Sequence, residues 1–231
     1  MYNIKLINNI VFDGEIVGAI GRLGDATDVF LRQGTLDGAC AVYSMMMMLM
    51  FHGMISREDI MYKTCRKDPP YIKRLKELFV KGIRGYYLGG YTFMELKDSL
   101  QKIMPQSISV EVDITEAIKG YNMKAEELHM NIKEHLDKGW PVQVGFNKEE
   151  GGGHAVVAIG YTICYETLRL YCLDPARNLP LGNMWNNVID LNTDYNESER
   201  WDYNHLSRMN VEVDQALMIK EPKNIDETLP F

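Results

Sequence analysis

A cysteine at the start of a long apolar segment is the first residue of this sequence that is suited to chemistry. Cys40 follows a polar, glycine-containing stretch (32–39), and the chain is then mainly apolar, with four consecutive methionines, until Gly53. Such a run is typical of a buried helix with the cysteine in its first turn and a glycine C-cap. Free N–H groups and the helix dipole there favour a thiolate, lowering its pKa from about 8.5 toward roughly 3.5 to 7.5. Cys40 is therefore a candidate nucleophile.

Three other residues supply the partners that a thiolate nucleophile needs. Gln33, seven residues before Cys40, carries an amide that is able to donate to an oxyanion beside the Cys40 N–H. His154 follows three glycines and opens an apolar strand, and Asp174 ends the next strand. Cys, His and carboxylate, with an oxyanion donor, indicate nucleophilic acyl chemistry.

Each of these residues also has a purely structural explanation. A cysteine at a helix start is often a small buried hydrophobe, and an Asp before a Pro, as in Asp174-Pro175, is a common turn residue. If Asp174 were only a turn residue, Asp37 or an asparagine of the 183–187 loop would be the next candidate for the third member of the site.

The order of these residues resembles that of papain-like cysteine peptidases. The resemblance is carried by the Gln-to-Cys turn that opens a buried helix, the later His at a strand start and the Asp that ends the next strand. The D-P sequence, the apolar run after His154 and the absence of a C-G-S-C-W string make the chain look closest to the bacteriocin leader-processing branch. The resemblance implies an α+β fold, with the Cys40 helix packed on an antiparallel sheet. It also implies a peptide or protein substrate, with Cys40, His154 and Asp174 catalytic and Gln33 as oxyanion donor.

The same four residues are compatible with other outcomes. An acyl-enzyme captured by an amine instead of water makes an acyltransferase, and attack on a side-chain amide makes a deamidase. A catalytically silent binding module that keeps the fold is a third class. The sequence leaves these alternatives open.

Composition narrows the class of protein. The 231 residues suit a single domain (1–231) with a polar tail from about 221. A net charge of −7 with a pI near 5.3 argues against a nucleic-acid partner. Four cysteines without paired spacing, no secretory signal and no apolar run of roughly 20 residues predict a cytoplasmic protein that does not insert into membranes.

No metal site or cofactor is expected. The E-x-x-H string that ends at His129 would need a second copy to form a di-iron site, and none exists. We therefore interpret His129 and His135 as surface or boundary residues.

The elements that must position the candidate residues follow from hydrophobic periodicity. A hairpin turning near 164–167 would place the start of the His154 strand beside the end of the Asp174 strand. A second hairpin is predicted at Asp13-Gly14. The other predicted elements are helices at about 56–65, 71–81, 92–103 and 124–138, and strands at 108–114, 140–146, 155–161, 168–173 and 211–219.

Overall fold

A computed structural model of the chain describes most of its residues. The described ranges are 3–20, 24–34, 39–61, 67–84, 90–105, 107–148, 152–165, 167–191, 198–202 and 207–220. Asp37, Cys65 and the predicted polar tail from 221 lie outside them. Within these ranges the fold is α+β, as predicted.

Five helices and eleven strands make up the described part of the fold. The helices are α1 (Cys40–Phe51), α2 (Arg57–Met61), α3 (Pro70–Arg84), α4 (Phe93–Ile103) and α5 (Ala125–Asp137). The strands are β1 (Lys5–Leu6), β2 (Val11–Phe12), β3 (Val17–Ile20), β4 (Ala26–Asp28), β5 (Ser109–Ile114), β6 (Val142–Lys148), β7 (Gly153–Cys164), β8 (Thr167–Leu173), β9 (Asn187–Leu191), β10 (Ser198–Asp202) and β11 (Ser207–Lys220).

The main sheet closes on itself. Its pairings run β7–β6–β11–β10–β9–β8 and return to β7, and every pair is antiparallel, so six strands form a barrel. Strand β1 pairs with β7 and β5 pairs with β11 outside this ring. Strands β2, β3 and β4 form a separate antiparallel sheet, in which β2 and β3 are the predicted Asp13-Gly14 hairpin.

Helix α1 is the centre of the core. Every residue from Ala41 to Phe51 is buried, because the helix is apolar around its whole circumference. Two buried side-chain hydrogen bonds join it to the barrel: Ser44 Oγ donates to the Ala155 carbonyl (3.1 Å), and Gln143 Nε2 donates to the Ala41 carbonyl (2.9 Å). The helix is therefore fixed against β6 and β7 near its N-terminus.

Local capping signals are borne out by the structure. Thr92 and Glu95 form a reciprocal capping box at the start of α4. The side chains of Ser56 and Asp59 likewise accept from each other's backbone N–H groups at the start of α2. These contacts satisfy N–H groups that a helix leaves unpaired at its first turn.

The prediction that His129 and His135 are surface or boundary residues is wrong. Both are buried, at 7% and 2% exposure. The reason is that α5 turns this face toward the barrel: the His135 ring packs edge-on against Trp140 at 5.2 Å, and a backbone hydrogen bond links it to Ile219. His129 and His135 lie on the largely apolar face of α5, so they are buried together with that face.

Within the described residues, no helix combines the length and the apolar character needed to cross a membrane.

Candidate active site

Cys40 is the first residue of α1. The Ala39 carbonyl accepts hydrogen bonds from the N–H groups of Val42 (2.9 Å) and Tyr43 (3.0 Å), which forms the first turn around the cysteine. Cys40 is partly exposed, whereas the rest of the helix is enclosed. The thiol thus lies where the buried helix meets the surface.

His154 is the second residue of β7 and lies opposite Phe146 of β6. The two rings pack edge to face, with centroids 5.4 Å apart and planes at 74°. Only 7% of the His154 side chain is exposed. The phenyl ring and the strand backbone therefore restrict the orientation of the imidazole.

Asp174 follows β8 and reaches the same ring. Strands β7 and β8 form a hairpin in which Val157 pairs with Leu173, so the end of β8 lies beside the start of β7. His154 Nε2 is 2.7 Å from Asp174 Oδ1, and the aspartate side chain is fully buried. Because a carboxylate only accepts, Nε2 carries the proton, and Nδ1 is the nitrogen left to face another group.

The thiol of Cys40 forms a side-chain hydrogen bond with His154 and backbone hydrogen bonds with Ala41 and Ala155. Burial by itself would raise the pKa of Cys40. The hydrogen bond and charge of His154 and the two backbone contacts outweigh burial, so the net pKa is lowered. The geometry favours a thiolate.

The imidazole shows the complementary shift. Burial disfavours the charged ring, but the charge and hydrogen bond of Asp174, together with those of Cys40, raise the pKa of His154 to about 9. A lowered thiol pKa beside a raised imidazole pKa favours a thiolate–imidazolium pair.

The Asp174 carboxylate is held from several sides. Oδ1 also accepts from the Ala176 N–H (2.8 Å), and Oδ2 accepts from Asn187 Nδ2 (2.8 Å). Each of these neighbours donates, which suits an ionised carboxylate. Asn187 is the first residue of β9 and pairs with Cys172 of β8, so the sheet register places its amide there.

A second asparagine holds the backbone of Asp174. Asn186 Oδ1 accepts from the Asp174 N–H (2.6 Å), and Asn186 Nδ2 donates to the Asp174 carbonyl (2.8 Å). The sequence pointed to the asparagines of 183–187 only as replacements for Asp174. In the structure two of them support it instead; the W-N-N string directly before an apolar strand is the signal that locates them.

Gln33 lies close to the same segment. Its backbone N–H donates to the Pro175 carbonyl at 2.8 Å, so the segment that leads to Cys40 is joined to the residue after Asp174. Its side chain is half-buried, and Oε1 has no hydrogen-bond partner among the residues that the structure describes.

Comparison with protein families decides the classification. The model of the Peptidase_C39 like family matches residues 28–207 of the chain. This chain belongs to the Peptidase_C39 like family. A search of curated proteins found no match.

The Peptidase_C39 like region contains Gln33, Cys40, His154 and Asp174, and also both supporting asparagines. Strand β11 begins at the last matched residue, so the strand that completes the barrel lies almost wholly beyond the match. Among the described residues, no group of three or more His, Cys, Asp or Glu side chains is arranged to hold a metal ion.

Proposed function

We propose that this protein is a cysteine peptidase that hydrolyses a peptide or isopeptide amide. The observation that carries the proposal is the continuous hydrogen-bonded series Cys40–His154–Asp174 in a chain that belongs to a peptidase family. Such a series activates a thiol and provides the acid that the leaving group needs.

The first half of the reaction forms an acyl-enzyme. The Cys40 thiolate attacks the substrate carbonyl carbon, a C–S bond forms, and the carbonyl π electrons move to oxygen. The Cys40 N–H and the Gln33 amide stabilise this oxyanion. When the intermediate collapses, the C–N bond breaks and the His154 imidazolium transfers its Nδ1 proton to the departing amine nitrogen.

The second half regenerates the enzyme. Neutral His154 takes a proton from water, and the hydroxide equivalent attacks the thioester carbonyl. The C–S bond then breaks, which releases a carboxylic acid product and restores the thiolate beside the imidazolium. Asp174 keeps Nε2–H oriented and offsets the positive charge of the ring in both halves.

The decisive experiment incubates the protein with candidate peptides and follows product masses. Peptide hydrolysis gives two fragments whose summed mass exceeds that of the substrate by one water. Deamidation changes the mass without cleavage, and acyl transfer joins a fragment to an added amine. Cys40→Ala should abolish the products and keep the fold, because a small residue at the helix start leaves little cavity.

Cys164→Ala and Cys172→Ala are the controls, and both should keep turnover within a few fold. Full activity of Cys40→Ala would contradict the proposal. A catalytically silent binding module would give a different result: the peptides would stay intact, and every cysteine would react equally slowly with an alkylating reagent. The finer expectation of bacteriocin leader processing stays a prediction, tested by including a leader peptide among the substrates.

A further inference from the structure

The sheet continues past the N-terminus of α1. Ala155 contacts the Cys40 sulfur through its backbone and pairs with Gly145 on β6. Two residues further along, Asn147 pairs with Gly153, and both are exposed. A substrate amide that reaches the thiol must lie over this part of the sheet.

Side-chain alternation identifies which residues face the substrate there. Gln143 contacts α1, so Gly145 and Asn147, two and four positions later, point to the same face of β6. A Cβ at Gly145 would lie 2.5 Å from Gln215 Cγ and 3.1 Å from Phe93 Cζ. The floor beside the thiol is therefore made by Gln215 of β11, which is half-buried, and by the Phe93 ring.

A buried carboxylate lies at the edge of this floor. Asp214 is the extra residue of a β-bulge in β11, between Val213 and Gln215. It is 1% exposed, its Oδ2 accepts from Asn147 Nδ2 at 2.5 Å, and its Oδ1 has no hydrogen-bond partner within the described residues. The exposed Asn147 amide thus separates this carboxylate from solvent.

The surroundings of Asp214 contain negative charge and neutral donors. Burial, and after it the charge of the exposed Glu212, raises the pKa of Asp214 to about 6, while its own N–H and the amides of Asn147 and Gln215 act in the opposite direction. Within the part of the chain that the structure describes, no cation is among these influences. A desolvated carboxylate without a positive partner is costly, and a cation brought by a ligand would stabilise it.

We propose that the floor formed by Gly145, Asn147, Gln215 and Phe93 is a subsite for a lysine or arginine side chain next to the scissile amide, with Asp214 as its counter-charge. The aliphatic part of such a side chain packs on Gln215 and Phe93, and its charged end displaces the Asn147 amide from Asp214. This inference rests on the proposed peptidase function and adds the substrate class.

The test uses pairs of irreversible peptidyl vinyl sulfones that react with Cys40. In each pair, one probe carries lysine and the other carries its neutral analogue norleucine at the same position. That position is the first residue before the electrophile in one pair and the second in the other. Intact-protein mass spectrometry gives the second-order rate constant for each probe. The rate constant for iodoacetamide, which has no peptide part, is measured for each variant and corrects the probe rates for differences in the thiolate fraction of Cys40.

We expect the lysine probe to react about 10-fold faster than the norleucine probe at one of the two positions, as for one desolvated charge pair. Asp214→Asn should bring this ratio close to one. Asp113→Asn is the matched control, because Asp113 is also buried, at 7% exposure, and bonded by an asparagine amide, but that amide belongs to Asn131 of α5. The control should keep the wild-type ratio.

Equal rates for lysine and norleucine at both positions, or an unchanged ratio in Asp214→Asn, would overturn the inference. Failure of every probe and of iodoacetamide to modify Cys40 would instead remove the proposed function itself. If Asp214→Asn does not fold, the wild-type ratio is measured against pH. It should decline as the pH falls through about 6, where Asp214 gains its proton, since the adjacent Asn147 and Gln215 amides do not titrate. A ratio that is flat across this range would refute a role for Asp214.

Discussion

Asn187 Nδ2 donates to Asp174 Oδ2 at 2.8 Å, while the other carboxylate oxygen faces His154 Nε2 at 2.7 Å. Both Asn187 and Asp174 are fully buried, and Asn187 Oδ1 has no hydrogen-bond partner among the described residues. The amide therefore gives one donor to the carboxylate at the cost of an unsatisfied acceptor. This arrangement indicates that Asn187 positions Asp174.

Replacing Asn187 tests that role. Asn187→Leu keeps the number and branching of the side-chain heavy atoms but removes the donor, so Asp174 is less well fixed and stabilises the imidazolium less. We expect the pKa of Cys40, measured by pH-dependent alkylation, to rise, and the free energy of unfolding to fall by about 1 to 3 kcal/mol. A fall in stability with an unchanged Cys40 pKa would show that Asn187 supports only the fold.

His154 and Asp174 should behave as one unit. His154→Ala should raise the Cys40 pKa, and Asp174→Ala should raise it by less, because the carboxylate acts through the ring. The double variant should be scarcely less active than His154→Ala, since no imidazole is left to orient. If the two losses of kcat/KM multiply, Asp174 acts independently of the histidine.

Gln33→Ala should reduce kcat by about 10²- to 10³-fold with little change in KM, as for a donor that acts mainly in the transition state. The Gln33 backbone bond to Pro175 is kept in this variant, so the loop should hold its place. A defect confined to KM would assign the side chain to substrate binding instead.

The pH dependence of turnover should be bell-shaped. Activity rises with pH as the Cys40 thiolate forms, and this limb lies below the ordinary value of 9.0 for a thiol because the pKa of Cys40 is lowered. It falls again as the imidazolium loses its proton, with a pKa of about 9 for His154. In Asp174→Ala the alkaline limb should move to lower pH. The measurement is steady-state kcat/KM between about pH 4 and pH 10.

Acid should destabilise the fold through two histidines, the buried His135 and the half-buried His52. Burial, with the charge of His135, lowers the pKa of His52 to about 3, and burial, with Lys138 and Lys220, lowers that of His135 to about 4. Both folded values lie below the unfolded value of 6.5, so stability is complete above that pH and is lost as the pH falls toward 4. In this window, each histidine lowers the free energy of unfolding by about 1.4 kcal/mol for every pH unit of acidification.

Urea unfolding of wild type and His135→Gln between about pH 7 and 4.5 isolates this effect from that of other groups. The raised pKa of Asp214 acts in the opposite direction in both proteins, and therefore cancels in the comparison. The free energy of unfolding should fall less steeply in the variant. Equal slopes would mean that His135 gains its proton without unfolding.

The sequence alone determined the elements that depend on local patterns. The apolar run after Cys40 required a buried helix, because no face of it suits water. The β7–β8 hairpin followed from two apolar runs separated by a short turn, and the Thr92–Glu95 capping box from residue type and spacing. Since the hairpin register relates the two strand ends, it also brought His154 and Asp174 together.

Only the tertiary structure decided the long-range relationships. Closure of the barrel by β11 places Asp214 and Gln215 beside β6, about 70 residues away along the chain, and no local pattern encodes that pairing. The packing of α5 buried His129 and His135 against expectation. Asn187 reaches Asp174 because β9 pairs with β8 in one particular register. Residue types suggested the chemistry, whereas strand pairing fixed which polar side chains support it.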